Sequence, residues 1–269
     1  WHYEFEDLVV LKNNKGTEEN RVRHMDYTFQ MNKLMYERLL TGGNITFFDP
    51  HDVPGLYESF FSDQDKFKAI YEEYERKTSI RKKTMPALDV FQSLLSERKD
   101  TGRIYVMNVD HANEHGAFHP KVAPIRMSNL CCEIDLPTKP LQSADDPNGE
   151  ISLCTLSAIN WGLINDPSEF EKYCTLSVRA LDALLDYQDY PIEAAYRSTM
   201  NRRPLGVGII NLAYFLAKRG LKYDDSAFDT VDEYAEAWSY YLIKASADLA
   251  SEKGKINKNY ETKYGSGIL

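Results

Sequence analysis

A chain of 269 residues, 43% of them apolar, can bury one large core or two small ones. Its formal net charge of −9 argues against a general nucleic-acid binder, which sets clustered Lys and Arg against the phosphate backbone, but leaves room for one small anionic nucleotide held by a few local donors. Four cysteines are too few for a disulfide scaffold, no signal-peptide pattern opens the chain, and it has no run of about 18 apolar residues, so the expected setting is a reduced cytoplasm with no membrane partner.

In chain order, Leu8-Val9-Val10-Leu11 predicts a short strand, followed by a polar turn at Asn13-Asn14-Lys15-Gly16. Met25, Phe29, Leu34, Met35 and Leu39 recur at roughly helical spacing and predict a helix over 25–40, stopped by Gly42-Gly43. Residues 44–48 read as a strand, and Asp49-Pro50-His51-Asp52-Val53-Pro54-Gly55 as a turn-rich loop. The heavily charged stretch 63–76 predicts a surface helix. Pro86 opens another helix, with Leu88, Phe91, Leu94 and Leu95 as its apolar face. Residues 103–109 are strand-like. His111, His115 and His119 recur every four residues, which invites a metal reading, but Gly116 and Pro120 argue against one continuous helix, and a solvated loop is expected.

Further on, Ser143-Ala144-Asp145-Asp146-Pro147-Asn148-Gly149 is a polar linker, and Ile151 to Leu156 reads as a short buried strand. Asp166-Pro167-Ser168-Glu169 supplies a cap, a first-turn Pro and a Glu three residues after the cap. The helix it starts turns Tyr173, Leu176, Ala180, Leu181, Leu184 and Leu185 toward a core, and Cys174 on it is expected to be a small buried apolar residue. Leu205 to Ala217 is apolar nearly all round and predicts a buried helix ended by Lys218-Arg219-Gly220. Gly206-Val207-Gly208 lacks the third glycine of a dinucleotide fingerprint and is expected to serve close packing. Thr230-Val231-Asp232-Glu233 reads as a capping box before a last helix whose face is Tyr234, Trp238, Tyr241, Leu242, Ala245 and Leu249, closed by Gly254. Alternation of strands and helices predicts an α/β class with more helix than a plain doubly wound sheet.

The chemistry concentrates in Asn129-Leu130-Cys131-Cys132-Glu133. If the loop is extended, alternate side chains share a side, so Asn129, Cys131 and Glu133 face one way and Leu130 and Cys132 the other. A carboxylate beside a thiol discourages the thiolate, whereas a nucleophilic cysteine needs positive surroundings. The trio therefore suits a thiol that reacts without ionising, as a thiyl radical, with the carboxylate acting as a base on the substrate.

Asn129, Cys131 and Glu133 followed by Pro137-Thr138 resemble the large, catalytic subunit of class I aerobic ribonucleotide reductase. The likeness extends to Leu11-Lys12-Asn13-Asn14, Arg21-Val22-Arg23-His24-Met25-Asp26-Tyr27, His51-Asp52-Val53-Pro54-Gly55-Leu56-Tyr57, Thr101-Gly102-Arg103-Ile104-Tyr105, Leu153-Cys154-Thr155-Leu156-Ser157 and Arg179-Ala180-Leu181-Asp182. The resemblance implies that residues 1–269 are the central part of a ten-stranded α/β barrel with many surrounding helices, and that residues 126–138 form a finger loop threading its centre. It implies that Cys131 carries the thiyl, Glu133 deprotonates the ribose 3′-hydroxyl, Asn129 orients the ribose and Cys154 is one of two cysteines that oxidise to a disulfide. The substrate would be a ribonucleoside diphosphate.

The resemblance also implies that this chain binds no cofactor or metal. The radical would come from a small, metal-containing beta subunit, and ATP and deoxynucleotide effectors would bind elsewhere in the full subunit. Thioredoxin or glutaredoxin would be the reductant, and the full large subunit would be a homodimer. The start at Trp1, with no counterpart of the ATP cone or the C-terminal cysteine tail, reads as a piece of a longer chain, inactive alone. Two other readings share the motif: a non-catalytic piece of a split or truncated reductase, and a cobalamin-dependent reductase.

Overall fold

The computed structural model describes residues 1–268 as two compact units, one formed by residues 1–137 with the chain from Glu261 onward, the other by Thr138–Tyr260. The first unit contains helix α1 (Phe5–Val9), strand β1 (Tyr27–Met31), α2 (Lys33–Leu40), β2 (Asn44–Phe48), α3 (Leu56–Ser62), α4 (Gln64–Arg76), β3 (Lys82–Pro86), α5 (Ala87–Thr101), β4 (Ile104–Asn108) and α6 (Val109–His115). Strands β1 and β4 pair in parallel, Tyr27 opposite Ile104 through Met31 opposite Asn108, while β2 and β3 pair antiparallel. Phe5, Phe47, Phe48, Phe60, Phe67 and Tyr71 meet in a continuous aromatic core between these layers.

The second unit contains β5 (Thr155–Asn160), α7 (Phe170–Tyr187), α8 (Glu193–Arg202), β6 (Leu205–Ile210), α9 (Leu212–Lys218) and α10 (Phe228–Lys253), with β5 and β6 parallel. Its core centres on Trp161, fully buried, with the rings of Phe170, Phe215, Tyr234 and Trp238 around it at 5.4–6.4 Å between centroids. Cys174 lies among these residues; its thiol donates to the Trp238 carbonyl, and burial pushes its pKa up to about 12. It is the small buried residue that the sequence suggested. The α/β class holds, and the described strands form three two-stranded sheets.

Several local expectations are corrected. The run at 8–11 belongs to α1 and the turn after it, because Phe5 and Val9, four apart, bury together on a helical face. The helix expected over 25–40 is β1 followed by α2, since the buried Asn32 side chain accepts from the Met35 N–H and starts the helix there. Residues 205–217 split into β6 and α9 at Asn211, whose φ is +65°. Gly206 and Gly208 weaken a helix, and the β5 edge supplies a parallel ladder instead. The strand expected at 151–156 starts only at Thr155, where pairing with Leu205 begins. The capping box at 230–233 lies inside α10; Asp224 instead caps a short turn that leads into it.

The helix over 63–76 and the start at Asp166 are as expected, with Asp63 and Asp166 accepting from the Lys66 and Ser168 N–H groups. On α5 and α7 the buried faces are rotated from the expected ones. Val90 and Leu94 are buried while Leu88 and Leu95 are exposed, and Phe170, Cys174, Val178, Leu181 and Leu185 are buried while Leu176 is exposed. His111 and His115 do share one helical face, their rings 5.6 Å apart; α6 ends there and His119 bonds Ser266 instead. Among the described residues no group of three or more His, Cys, Asp or Glu side chains is arranged to hold a metal ion, and no helix is long and apolar enough to cross a membrane.

Two interactions fix these layers. The Tyr71 hydroxyl accepts from the Thr46 N–H at 2.6 Å and donates to the Thr46 carbonyl at 2.8 Å, which satisfies both backbone groups on the buried outer edge of β2. Tyr71→Phe should destabilise the chain by about 2 kcal/mol in chemical denaturation, because two buried polar groups lose their partner. In the second unit, buried Asp182 is shared by Arg203, at 2.6 Å, and Lys253, at 2.6 Å, which ties α7 to the ends of α8 and α10. Burial acts to raise the Asp182 carboxyl, but the hydrogen bonds and charges of Arg203 and Lys253 hold it below its ordinary value. Its contribution to stability is therefore present above the unfolded pKa of about 4 and is lost as pH falls through the lower folded value. Urea midpoints between pH 7 and pH 2 should fall less steeply on the acid side for Asp182→Asn than for wild type.

Candidate active site on the finger loop

Backbone without a ladder needs side chains to satisfy it, and the approach to residues 126–137 is held this way. Buried Asn113 on α6 pairs with Ile125 through both its amide atoms, accepting from the Ile125 N–H at 2.8 Å and donating to its carbonyl at 3.0 Å. Gln30 on β1 donates to the Arg126 carbonyl at 2.6 Å. The Arg126 guanidinium bonds Glu58 at 2.8 Å and lies over the rings of Tyr57 and Phe61 on α3. Ser128 Oγ donates across the neck of the finger to the Ile134 carbonyl at 2.8 Å. Neither periodicity nor motif singled out Gln30, Asn113 or Ser128; their roles depend on backbone groups distant in sequence or across a turn.

The tip is a tight turn, which corrects the extended loop expected from the sequence. The Cys132 N–H donates to the Asn129 carbonyl at 3.1 Å, and Cys132 takes a left-handed φ of +61°. Asn129 closes the turn: its Oδ1 accepts from the Glu133 and Ile134 N–H groups, each at 3.1 Å, while its Nδ2 donates to Glu133 Oε1 at 2.7 Å. The amide and the carboxylate therefore meet through a four-residue turn, not through strand alternation. Cys131 sits between them on the turn, exposed, as are Asn129 and Glu133.

Cys132 occupies a different environment. It lines a cavity of about 390 Å³ with Val106, Met107, Asn108, His111, His115 and Asp135, and the trio of Asn129, Cys131 and Glu133 is not part of that wall. Burial raises the Cys132 thiol pKa and the Asp135 charge raises it further, against the hydrogen bonds of Ser128 and Thr28. Cys132 is thus a partly buried sulfur that packs against the first unit's core.

Cys154 lies in the second unit, half-buried, one residue before β5. It rests against Gly206 on β6: a Cβ there would come within 3.2 Å of Cys154 Sγ and 2.5 Å of Leu156 Cδ2. Gly206 thus serves close approach, as its sequence context suggested, though from a strand.

An α/β chain that presents an exposed thiol on a turn closed by an amide and a carboxylate offers a candidate catalytic site. Residues 1–269 match the family described as ribonucleotide reductase, barrel domain. The whole chain is 59% identical to the ribonucleoside-diphosphate reductase subunit alpha of Haemophilus influenzae and 58% identical to the ribonucleoside-diphosphate reductase 1 subunit alpha of Escherichia coli, covering 36% of each. It is 47% identical to the corresponding subunit of Enterobacteria phage T4, covering 35% of it. The chain belongs to the ribonucleotide reductase barrel-domain family, and it spans about a third of the length of these relatives.

The turn depends on Asn129 more than on any neighbour. Asn129→Ala removes three hydrogen bonds, and amide exchange at Glu133 and Ile134 should quicken by about tenfold, read by hydrogen–deuterium exchange, with exchange in β1 and β4 unchanged.

Proposed function

We propose that this chain is the central piece of the catalytic subunit of a class I ribonucleoside-diphosphate reductase. The observation that carries the reading is the 2.7 Å bond between Asn129 and Glu133 across the exposed turn bearing Cys131, in a chain 58–59% identical to alpha subunits of that name. The reaction replaces the ribose 2′-hydroxyl with hydrogen. A sulfur radical at Cys131 removes the 3′-hydrogen, Glu133 takes the 3′-hydroxyl proton as general base, and the 2′-hydroxyl leaves as water. Asn129 orients both the carboxylate and the ribose. The balance is one C–O bond broken, one C–H bond formed, one water released and two thiols oxidised to a disulfide, with Cys154 as one of the two. Enclosure in the subunit shields the radical from water and side reactions.

The substrate class is a ribonucleoside diphosphate, and the product is a precursor for DNA synthesis in the cytoplasm. The radical is supplied by a metal-containing beta subunit. Thioredoxin or glutaredoxin reduces the disulfide, and ATP or deoxynucleotide effectors act on the full subunit, a homodimer, outside this chain.

The test embeds the chain in a full-length alpha subunit, adds the beta subunit, CDP and dithiothreitol, and measures dCDP. Wild type should turn over and Cys131→Ser should lose turnover entirely while still binding CDP. An assembled but inactive wild type points to a non-catalytic piece, and activity that survives Cys131→Ser moves the radical site to another sulfur.

A further inference from the structure

Residues 150–154 carry Cys154 yet have no strand ladder until Thr155. Something else must hold them. Three consecutive residues attach to one face of α8. The Ile151 N–H donates to the Ala194 carbonyl at 3.2 Å, Ser152 Oγ lies 3.3 Å from Ser198 Oγ, and Glu150 accepts from Arg202 Nη2 at 2.7 Å. Positions 194, 198 and 202 recur every four residues, so they form a single row along the helix. Arg202 also donates to Ser198 Oγ at 3.3 Å, which links the last two attachments.

Glu150 is the anchor of this row. It is only 3% exposed, and Lys258 reaches its other oxygen at 2.5 Å, with Lys139 3.8 Å away. Its backbone pairs with Lys139 in both directions. The arginine it holds is 5% exposed. The next residue, Arg203, ties the same helix end to α7 through Asp182 and Asp186. The row is therefore fixed to the rest of the unit on one side and grips the cysteine segment on the other. Gly206 forms the floor under the sulfur.

We propose that Glu150 is a positioning residue for the redox function of Cys154, acting through Arg202 and Ser198 to hold residues 150–154 against α8. The proposal rests on Cys154 being one of the two reducing thiols. Glu150→Gln keeps the shape but replaces the carboxylate that Arg202 and Lys258 both meet with a neutral amide, which holds the two cations less tightly. The hold of Arg202 on residue 150 would then weaken, and residues 150–154 would loosen from the row on α8.

The experiment uses the full-length alpha subunit, reduced beforehand. It measures iodoacetamide alkylation rates of Cys154 and Cys131 by peptide mass spectrometry, together with kcat and KM for CDP with the beta subunit and dithiothreitol. In Glu150→Gln, alkylation of Cys154 should quicken about tenfold while Cys131 stays within about twofold, and kcat should fall about tenfold with KM little changed, because misplacement of a reacting group acts on the chemical step. Glu150→Asp, which keeps the charge, should recover part of both effects. Unchanged Cys154 alkylation with unchanged kcat overturns the proposal, and so does equal quickening at both cysteines, which would mark general loosening. Cys154→Ser separates the underlying reading: if it turns over like wild type, Cys154 is not a reducing thiol, whatever the alkylation contrast shows. If Glu150→Gln does not fold, Ser198→Ala, which removes the middle attachment and its link to Arg202, decides by the same alkylation contrast, and a wild-type Cys154 rate there overturns the proposal.

Discussion

The Asn129 amide sets the geometry of the finger tip. Cys131 and Cys154 both sit on backbone that has no ladder of its own, and such backbone stays in one conformation only where side chains occupy its donors and acceptors. Asn129 does this at the tip with three hydrogen bonds, and in the same act it fixes the Glu133 carboxylate. Ser128, Gln30 and Asn113 repeat the arrangement down the neck and base of the loop. In the second unit Glu150 and Ser152 serve the segment that leads to Cys154. Each sulfur owes its place to polar side chains that contribute little net energy and decide conformation instead.

The two adjacent cysteines show how a single turn separates roles. The left-handed backbone at Cys132 turns the chain so that one thiol is exposed at the tip and the next packs against the first unit's core. Burial and Asp135 keep the Cys132 sulfur protonated. Cys174 is inert for a simpler reason, full burial among aromatic rings.

Electrostatics in the second unit follow one plan. Asp182 and Glu150 are buried carboxylates, each met by an arginine from the end of α8 and by a lysine, Lys253 or Lys258, from farther along the chain. Buried ion pairs of this kind add little over an apolar packing of equal shape, but losing one partner is costly, so they specify which elements meet. Arg202 and Arg203, adjacent in sequence, serve opposite sides of the same helix end. The left-handed conformation of Arg203, at φ +44°, accompanies that split.

Local chemistry made part of this legible in the sequence. The strand at 44–48, the capped helices at 63–76 and from Asp166, the burial of Cys174 and the cluster of Asn129, Cys131 and Glu133 all follow from signals within a few residues, where caps, prolines and side-chain type act directly. The residues of the finger trio were identifiable because a thiol between an amide and a carboxylate is chemically unusual wherever it occurs. Apolar runs were ambiguous. Residues 205–217 and 25–40 fit a helical period, but a partner strand distant in sequence turned the first half of each into a β-ladder. The faces of α5 and α7 depended on which neighbours packed against them. The tight turn at 129–133, the separation of Cys132 from Cys131, and the row on α8 that grips residues 150–152 were decided only by tertiary structure, because each depends on hydrogen bonds whose partners the local sequence does not name.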